Sequence, residues 1–176
     1  STEKPILYFK NNLISLLNVL EAMRDFNVPH LIYSSSCTVY GNVEKSPVSE
    51  ETPLQEAESP YGRTKQMGEQ LITDTLKEID SNAILLRYFN PAGAHLSGKI
   101  GESPIVLALN LIPAITETAK GRRGQMTVFG NDYDTRDGSC VRDYIHVVDL
   151  ARAHTLAIKR LLDGKQNQKV DVYNLG

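Results

Sequence analysis

The chain has 176 residues, enough for one domain of ordinary size with a core of its own. Its apolar share of 41% and charged share of 23% are typical of globular proteins in water. A net charge of −2 argues against a nucleic-acid partner, and no apolar run is long enough to span a bilayer.

The first part of the chain alternates between helical and strand patterns. An apolar stripe at helical spacing runs over residues 13–23 and ends before Pro29. Residues 30–35 read as a short strand that runs into serines, and residues 41–59 as a long polar loop. Pro60 stands where the next helix is predicted to begin.

The alternation continues to the end of the sequence. Residues 83–89 form a continuous apolar run, which is typical of a strand covered on both faces. A helix bent at its proline is predicted over 105–120, a short strand over 126–129, a helix over 148–162 and a last strand over 172–176. The predicted buried side of the helix over 148–162 carries Leu150, Ala153, Ala157, Ile158, Leu161 and Leu162.

Strands that alternate with helices of this length indicate βαβ units. We therefore predict an α/β fold with a parallel sheet and right-handed connections. The cysteines and histidines add no metal site to it. Cys37 and Cys140 form no CxxC motif, and the four histidines show no ligand spacing such as HExxH. We expect the thiols to be free in a reducing cytosol, and therefore a cytoplasmic protein.

Tyr61 and Lys65 are the most informative pair of residues. Four positions apart on the predicted helix, they lie on one face about one turn apart. A fixed ammonium stabilises a phenolate, so we expect the pKa of Tyr61 to lie below its ordinary value. Such a phenol is a general base for a substrate hydroxyl. The alternative is a half-buried tyrosine followed by a solvated lysine.

Three motifs are predicted at the carboxyl ends of the parallel strands, where ligands bind in such sheets. They are Ser34–Ser36, the Tyr61–Lys65 pair, and residues 88–91. In this arrangement Ser36 would hydrogen-bond the substrate hydroxyl, Tyr61 would take its proton and Lys65 would stabilise the resulting charge. Strand-end capping is the structural alternative for the serines.

Four segments together resemble the extended short-chain dehydrogenase/reductase family, and within it the UDP-glucose 4-epimerases. They are residues 34–41 (SSSCTVYG), 59–65 (SPYGRTK), 86–95 (LRYFNPAGAH) and 129–147. The similarity covers nearly the whole chain. The last two segments are far more specific than a tyrosine and a lysine four residues apart.

The resemblance implies the C-terminal part of a Rossmann-like NAD(P)-binding parallel sheet with part of a small substrate-binding subdomain. Residues 1–90 and 144–176 would belong to the NAD-binding domain, and residues 91–143 to the nucleotide-sugar-binding subdomain. In the family, helices equivalent to residues 11–26 and 61–80 pair across a homodimer, which makes a homodimer the expected state of the intact protein.

The resemblance also implies a role for individual residues. Tyr61 would be the catalytic base, Lys65 would bind the nicotinamide ribose and lower the pKa of the tyrosine, and Ser36 would share the proton. The other residues implied at the cofactor are Asn11, Tyr88 and Phe89. The residues implied at the UDP-sugar, besides Ser36 and Tyr61, are Asn90, Asn110, Leu111, Phe129 and Arg142.

Several of these residues have a structural alternative. Asn11 could be a residue of a helix N-terminus, and Asn90 could cap the turn before a proline. Phe129 could belong to the core, and Arg142 could form a surface ion pair with Asp143.

The activity implied is NAD-dependent epimerisation at sugar C4, which interconverts UDP-galactose and UDP-glucose through a 4-keto intermediate. Two other functions stay open from the sequence. One is another nucleotide-sugar enzyme of the extended family, such as a UDP-glucuronate epimerase or decarboxylase. The other is a non-catalytic nucleotide-sugar-binding module.

One expected element is missing from the sequence. A dinucleotide-binding fold needs a Gly-rich turn between its first strand and the next helix, and none of the 12 glycines falls in a G-x-G-x-x-G pattern. We therefore expect the chain to be an internal fragment of a longer protein. For these 176 residues alone we predict weak or absent NAD binding.

Overall fold

The computed structural model describes residues 2–102 and 108–176. These residues separate into two units: the first runs up to Phe89 and includes Arg152–Leu175, and the second contains Asn90–Ala151 and Gly176. The elements are, in chain order, α1 (Pro5–Phe9), a π-helical turn (Lys10–Ile14), α2 (Ser15–Asp25), β1 (His30–Ser36), a 3-10 turn (Cys37–Tyr40), α3 (Pro60–Glu78), β2 (Asn82–Tyr88), β3 (Asn90–Ala92), α4 (Leu111–Ala119), β4 (Tyr144–His146), α5 (Val147–Leu162) and β5 (Val170–Leu175).

The first unit is built on a sheet of three parallel strands in the order β1–β2–β5. Ser36 pairs with Tyr88, and Tyr88 with Leu175, so the three strands end together at one edge. The predicted α/β fold with a parallel sheet is therefore confirmed. The edge where the strands end is the one at which parallel sheets bind ligands.

The central strand β2 is buried on both faces, as its apolar run predicts. Ala83 and Leu85 pack with α2 and α3, whereas Ile84 and Leu86 pack with the end of α5. Alternate side chains of a strand point to opposite faces, so one apolar run serves two helical layers.

Helix α3 begins where the sequence predicts. The Ser59 hydroxyl accepts a hydrogen bond from the Gly62 N–H at 3.1 Å, which caps the helix. Pro60 occupies the first turn, where its missing N–H would have no helical partner. The catalytic candidates Tyr61 and Lys65 consequently lie in the first two turns of a well-capped helix.

The second unit contains the short parallel pair β3–β4, in which Asn90 pairs with Tyr144 and Ala92 with His146. Two predictions for this unit are wrong. The helix predicted over 105–120 begins at Leu111, so Pro113 lies in its first turn and no bend is needed. Positions 105–107 of that prediction lie outside the described residues.

The strand predicted over 126–129 is irregular in the structure. A strand needs a neighbour for its backbone groups, and the part of the chain that is described supplies none there. Val128 and Phe129 are 67% and 84% exposed, so no apolar layer covers this segment within the described residues.

Helix α5 follows its prediction except on one side. Ala157 and Leu161 are buried against β2, but Ile158 and Leu162 are 51% and 70% exposed. The sheet covers only a narrow i, i+4 face, and the next positions around the helix turn away from it. None of the helices in the described ranges combines the length and apolarity needed to cross a membrane.

Candidate active site

The end of β1 and the start of α3 bring Ser36, Tyr61 and Lys65 together. The Ser36 side chain is a neighbour of the Tyr61 phenol that acts to lower its pKa, and the Ser36 hydroxyl oxygen also accepts from the Thr38 N–H at 3.3 Å. The Lys65 ammonium lies 5.6 Å from the centroid of the Tyr61 ring. A phenol with a hydroxyl partner and a nearby ammonium is an arrangement suited to proton transfer.

The pKa of Tyr61 differs from the sequence-based expectation. Burial of the half-buried phenol raises its pKa, and the Ser36 side chain acts in the opposite direction without cancelling it. The prediction of a lowered pKa for Tyr61 is therefore wrong. The physical reason is that desolvation penalises the phenolate more than the polar neighbours stabilise it.

Lys65 is held by a backbone carbonyl and two aromatic rings. Its ammonium donates a hydrogen bond to the Ser34 carbonyl at 2.8 Å and lies 5.0 Å from the centroid of the Tyr33 ring. Burial lowers the pKa of Lys65. The alternative of a solvated lysine does not describe this side chain.

The first turn of α3 is tied to the π-helical turn by a contact that sequence reasoning missed. The Asn12 amide donates to the Thr64 hydroxyl at 2.8 Å, and that hydroxyl donates to the Tyr61 carbonyl at 2.7 Å. Thr64 is fully buried. The signal available in the sequence was Asn12 itself, the second asparagine of a polar pair directly before the apolar helical stripe.

Tyr88, at the end of β2, is part of a second hydrogen-bonded chain. Its hydroxyl donates to the Ser34 hydroxyl at 2.7 Å, and His154 Nε2 lies 2.6 Å from the same hydroxyl. A phenol has one proton, so a Tyr88 that donates to Ser34 accepts from His154 Nε2–H. His154 was not among the predicted site residues.

The other two residues predicted at the cofactor lie in the same unit. Asn11 is exposed on the π-helical turn, a kind of bulge that is frequent at functional sites. Phe89 follows β2 directly, and its N–H donates to the Leu175 carbonyl at 3.0 Å. The structure thus assigns all six predicted cofactor residues to the first unit.

The remaining predicted substrate residues belong to the second unit. The Asn90 side-chain amide donates to the Asp143 carbonyl at 2.6 Å, which fixes it at the start of β3. Asn110 precedes α4 as its cap residue and Leu111 begins the helix. Both residues are exposed, and so are Phe129 and Arg142.

Two structural alternatives for these residues fail. Phe129 is 84% exposed, so it is not a core residue of the described chain. Arg142 forms no ion pair with Asp143 among the contacts of the described residues and donates instead to the Val141 carbonyl at 2.9 Å. In the same described ranges, no group of three or more His, Cys, Asp or Glu residues could hold a metal ion.

The whole sequence matches one protein family, the NAD dependent epimerase/dehydratase family, over residues 1–176. The chain belongs to this family.

Curated relatives in the family are similar over the full length of the chain. UDP-glucose 4-epimerase 2 of Arabidopsis thaliana is 48% identical, and the UDP-glucose 4-epimerase of Homo sapiens is 47% identical. In both cases the alignment covers 100% of this chain and 50% of the relative. The chain therefore spans about half the length of the curated relatives it matches.

Solved structures of family members share the fold. A UDP-glucose 4-epimerase from Bifidobacterium longum, in complex with NAD+ and UDP, superposes with a TM-score of 0.93 at 46% identity. One from Stenotrophomonas maltophila, with bound NAD and formylated UDP-arabinopyranose, gives a TM-score of 0.93 at 45% identity. Each match covers 100% of this chain and 52% of the other. The α/β architecture is therefore the Rossmann-like fold of these epimerases.

Proposed function

We propose that the protein is an NAD-dependent epimerase that interconverts UDP-galactose and UDP-glucose, with Tyr61 as the base. The observation that carries the proposal is the Lys65 ammonium, held by the Ser34 carbonyl at 2.8 Å and 5.6 Å from the centroid of the Tyr61 ring, with Ser36 as a neighbour of the phenol. This arrangement occurs in a chain whose family is defined by NAD-dependent epimerases and dehydratases.

The three side chains divide the work of one proton transfer. Tyr61 accepts the proton of the sugar O4 hydroxyl, and Ser36 hydrogen-bonds the reacting oxygens. Lys65, held by the Ser34 carbonyl, stabilises the negative charge of the phenolate. When bound, NAD would supply the hydride chemistry at C4, and the positive charge of its nicotinamide ring would favour the phenolate of Tyr61.

The residues of the first unit fit the nicotinamide half of NAD. An ammonium has three N–H donors, and the Ser34 carbonyl takes one, so Lys65 can offer the others to ribose hydroxyls. Tyr88 and Phe89 would line the nicotinamide pocket, and Asn11 would contact the cofactor from the π-helical turn. The 176 residues contain no Gly-rich turn for the pyrophosphate.

The second unit supplies the groups that we assign to the UDP moiety. Arg142, with an exposed guanidinium, would pair with a phosphate through its planar fork. Asn90 would contact the diphosphate, and Asn110, Leu111 and Phe129 the uridine. A phenylalanine that is 84% exposed is available for such a contact.

We also propose that the protein acts in the cytoplasm as a homodimer, in galactose metabolism. The segment from Ile6 to Phe26, which includes α1, the π-helical turn and α2, carries several exposed apolar side chains, which is favourable for pairing with another helical surface. The most exposed of them are Ile6, Leu7, Ile14, Leu17, Val19 and Phe26. Sedimentation of the protein as its gene encodes it tests the dimer, and a monomer at micromolar concentration would contradict it.

The base assignment is tested by Tyr61→Phe in the protein as its gene encodes it. Loss of a general base lowers kcat by about 10²- to 10⁴-fold. The substrate is UDP-galactose with NAD, and UDP-glucose is measured as product. The matched control is Tyr173→Phe, which removes the hydroxyl of a half-buried tyrosine on β5 and should leave kcat unchanged. Epimerisation by Tyr61→Phe within about tenfold of wild type would contradict the assignment.

The reaction itself is tested by comparing substrates. Conversion of UDP-galactose, with UDP-glucuronate unchanged in the same conditions, supports 4-epimerisation of the neutral sugar. Conversion of UDP-glucuronate alone would assign the protein to another nucleotide-sugar reaction. Binding of UDP-sugars without turnover of either would indicate a binding module.

A further inference from the structure

A buried ion pair connects α3, the helix that carries Tyr61, to β2. Glu69 of α3 and Arg87 of β2 form two hydrogen bonds, Nε to Oε1 at 2.9 Å and Nη2 to Oε2 at 2.6 Å. Their side chains are only 8% and 7% exposed. A buried ion pair gives little stability over an apolar pair of equal volume, because both charges lose their hydration. Its presence here therefore calls for a role other than stability.

The other partners of this ion pair flank Ser36 in the chain. The Ser35 hydroxyl donates to Glu69 Oε1 at 2.5 Å. On the far side of Ser36, Arg87 Nη1 donates to the Tyr40 hydroxyl at 2.9 Å. The residue before Ser36 and the end of the turn that Ser36 caps are thus both fixed by the same two charges.

The ion pair is also connected to the helix that carries the base. Glu69 follows Lys65 by four positions and Tyr61 by eight, so all three lie on one face of α3. The Tyr40 hydroxyl, in turn, donates to Asn174 of β5 at 2.7 Å. The contacts therefore join β1, the 3-10 turn, α3, β2 and β5.

We propose that Glu69 and Arg87 are positioning residues, which hold Ser36 within hydrogen-bond reach of Tyr61 through Ser35 and Tyr40. The proposal rests on the proposed function of Ser36 and Tyr61. The pair touches neither reacting group itself. It fixes the backbone on both sides of Ser36 to the helix that presents Tyr61, and a site of this kind loses rate when the separation of its groups changes.

The first test is Ser35→Ala, with Ser81→Ala as the matched control. Both serines are buried, 1% and 3% exposed, and both hydroxyls donate one hydrogen bond, Ser81 to the Val28 carbonyl at 2.8 Å. The two variants should lose similar thermal stability. In the protein as its gene encodes it, we expect Ser35→Ala to lower kcat about tenfold at an unchanged KM, and Ser81→Ala to change neither. Equal kcat values for the two variants would overturn the proposal.

The second test removes the ion pair without leaving a buried charge alone. In Glu69→Leu/Arg87→Met, apolar side chains of similar volume replace both partners, so the fold is retained. We expect a melting temperature close to that of wild type and a kcat at least as low as in Ser35→Ala. A stable double variant with the wild-type kcat would show that the ion pair has no positioning role.

The third test does not depend on turnover, so it stays decisive if the protein has a different activity. The pKa of Tyr61 is measured by NMR of ring-labelled tyrosine in the cofactor-free protein. The Ser36 side chain favours the phenolate, so Ser36→Ala and Ser35→Ala should each raise this pKa. The variant that combines Ser35→Ala with Ser36→Ala should have the same Tyr61 pKa as Ser36→Ala alone. A Tyr61 titration that is unaltered by Ser35→Ala would overturn the proposal.

Discussion

Two tyrosines lie beside Lys65, and only one of them is suited to act as a base. Burial, with a further contribution from the Glu69 charge, raises the pKa of Tyr33 to about 12. Tyr33 therefore stays a neutral phenol at any working pH. Tyr61 has the Ser36 side chain as a neighbour, which favours its phenolate. The role that remains for Tyr33 is to present its ring face to the ammonium 5.0 Å away.

This role leads to a prediction for Tyr33→Leu. A cation–π contact of this kind is worth about 0.5–2 kcal/mol, so its loss should lower kcat about 2- to 30-fold. The control is Tyr33→Phe, which keeps the ring and should keep kcat. Rates are measured from below neutral pH upward, because a displaced Lys65 should move the pH at which the base ionises to higher values. A Tyr33→Leu enzyme with the pH–rate profile of Tyr33→Phe would contradict the assignment.

At the scale of elements, α3 approaches β1 and α2 closely because residue 68 has no side chain. A β-carbon at Gly68 would collide with the Tyr33 hydroxyl and would lie 3.2 Å from Leu16 Cδ2. The approach brings the helix that carries Tyr61 and Lys65 against the strand that carries the serines. Gly62 permits a similar approach to Thr38, whose carbonyl would lie 3.2 Å from an added β-carbon.

We predict that Gly68→Ala destabilises the chain despite a better helix propensity. Alanine gains about 1 kcal/mol over glycine within a helix, whereas overpacking costs about 1–3 kcal/mol. The cost of the clash should therefore exceed the gain in helix propensity, and the midpoint of thermal unfolding should be lower than in wild type. Gly124→Ala, with open space around the added carbon, is the control. In a Tyr33→Phe background, Gly68→Ala should cost less stability, because the colliding hydroxyl is gone. An equal loss of stability in both backgrounds would contradict this account.

The elements that the sequence predicts best are those whose pattern depends on one buried face. The stripe of α2, the start of α3 at Pro60 and the apolar run of β2 all give local signals of burial or capping. The prediction of a strand over 126–129 is wrong because a strand depends on pairing with another strand, which the local sequence pattern does not reveal.

In the candidate site, too, the features that follow from local spacing and strand ends were predictable. Tyr61 and Lys65 are neighbours by helical spacing alone, and Ser36 joins them because parallel strands end at one edge. The Glu69–Arg87 pair was missed, although each residue interrupts an apolar face and a lone buried charge requires a partner. The raised pKa of Tyr61 was not predictable, because it depends on how deeply the phenol is buried.

At the scale of the whole molecule, the predicted cofactor residues all belong to the first unit, and five predicted substrate residues, from Asn90 to Arg142, belong to the second. The parallel sheet of the first unit has three strands in the described residues. A chain that spans about half of its relatives thus contains the proposed reacting groups of the nicotinamide end, whereas its sequence has no turn for the pyrophosphate.

This division predicts that the isolated 176 residues bind NAD weakly or not at all. The Gly-rich turn and the helix N-terminus that follows it supply the backbone N–H groups that bind the pyrophosphate, and Lys65 alone cannot replace them. Calorimetry with NAD should show no saturable heat at micromolar concentrations, and nicotinamide mononucleotide should bind no more weakly than NAD. The control is circular dichroism, which must show a folded chain. Tight binding of NAD by the folded chain would mean that these residues provide a pyrophosphate site that the sequence does not reveal.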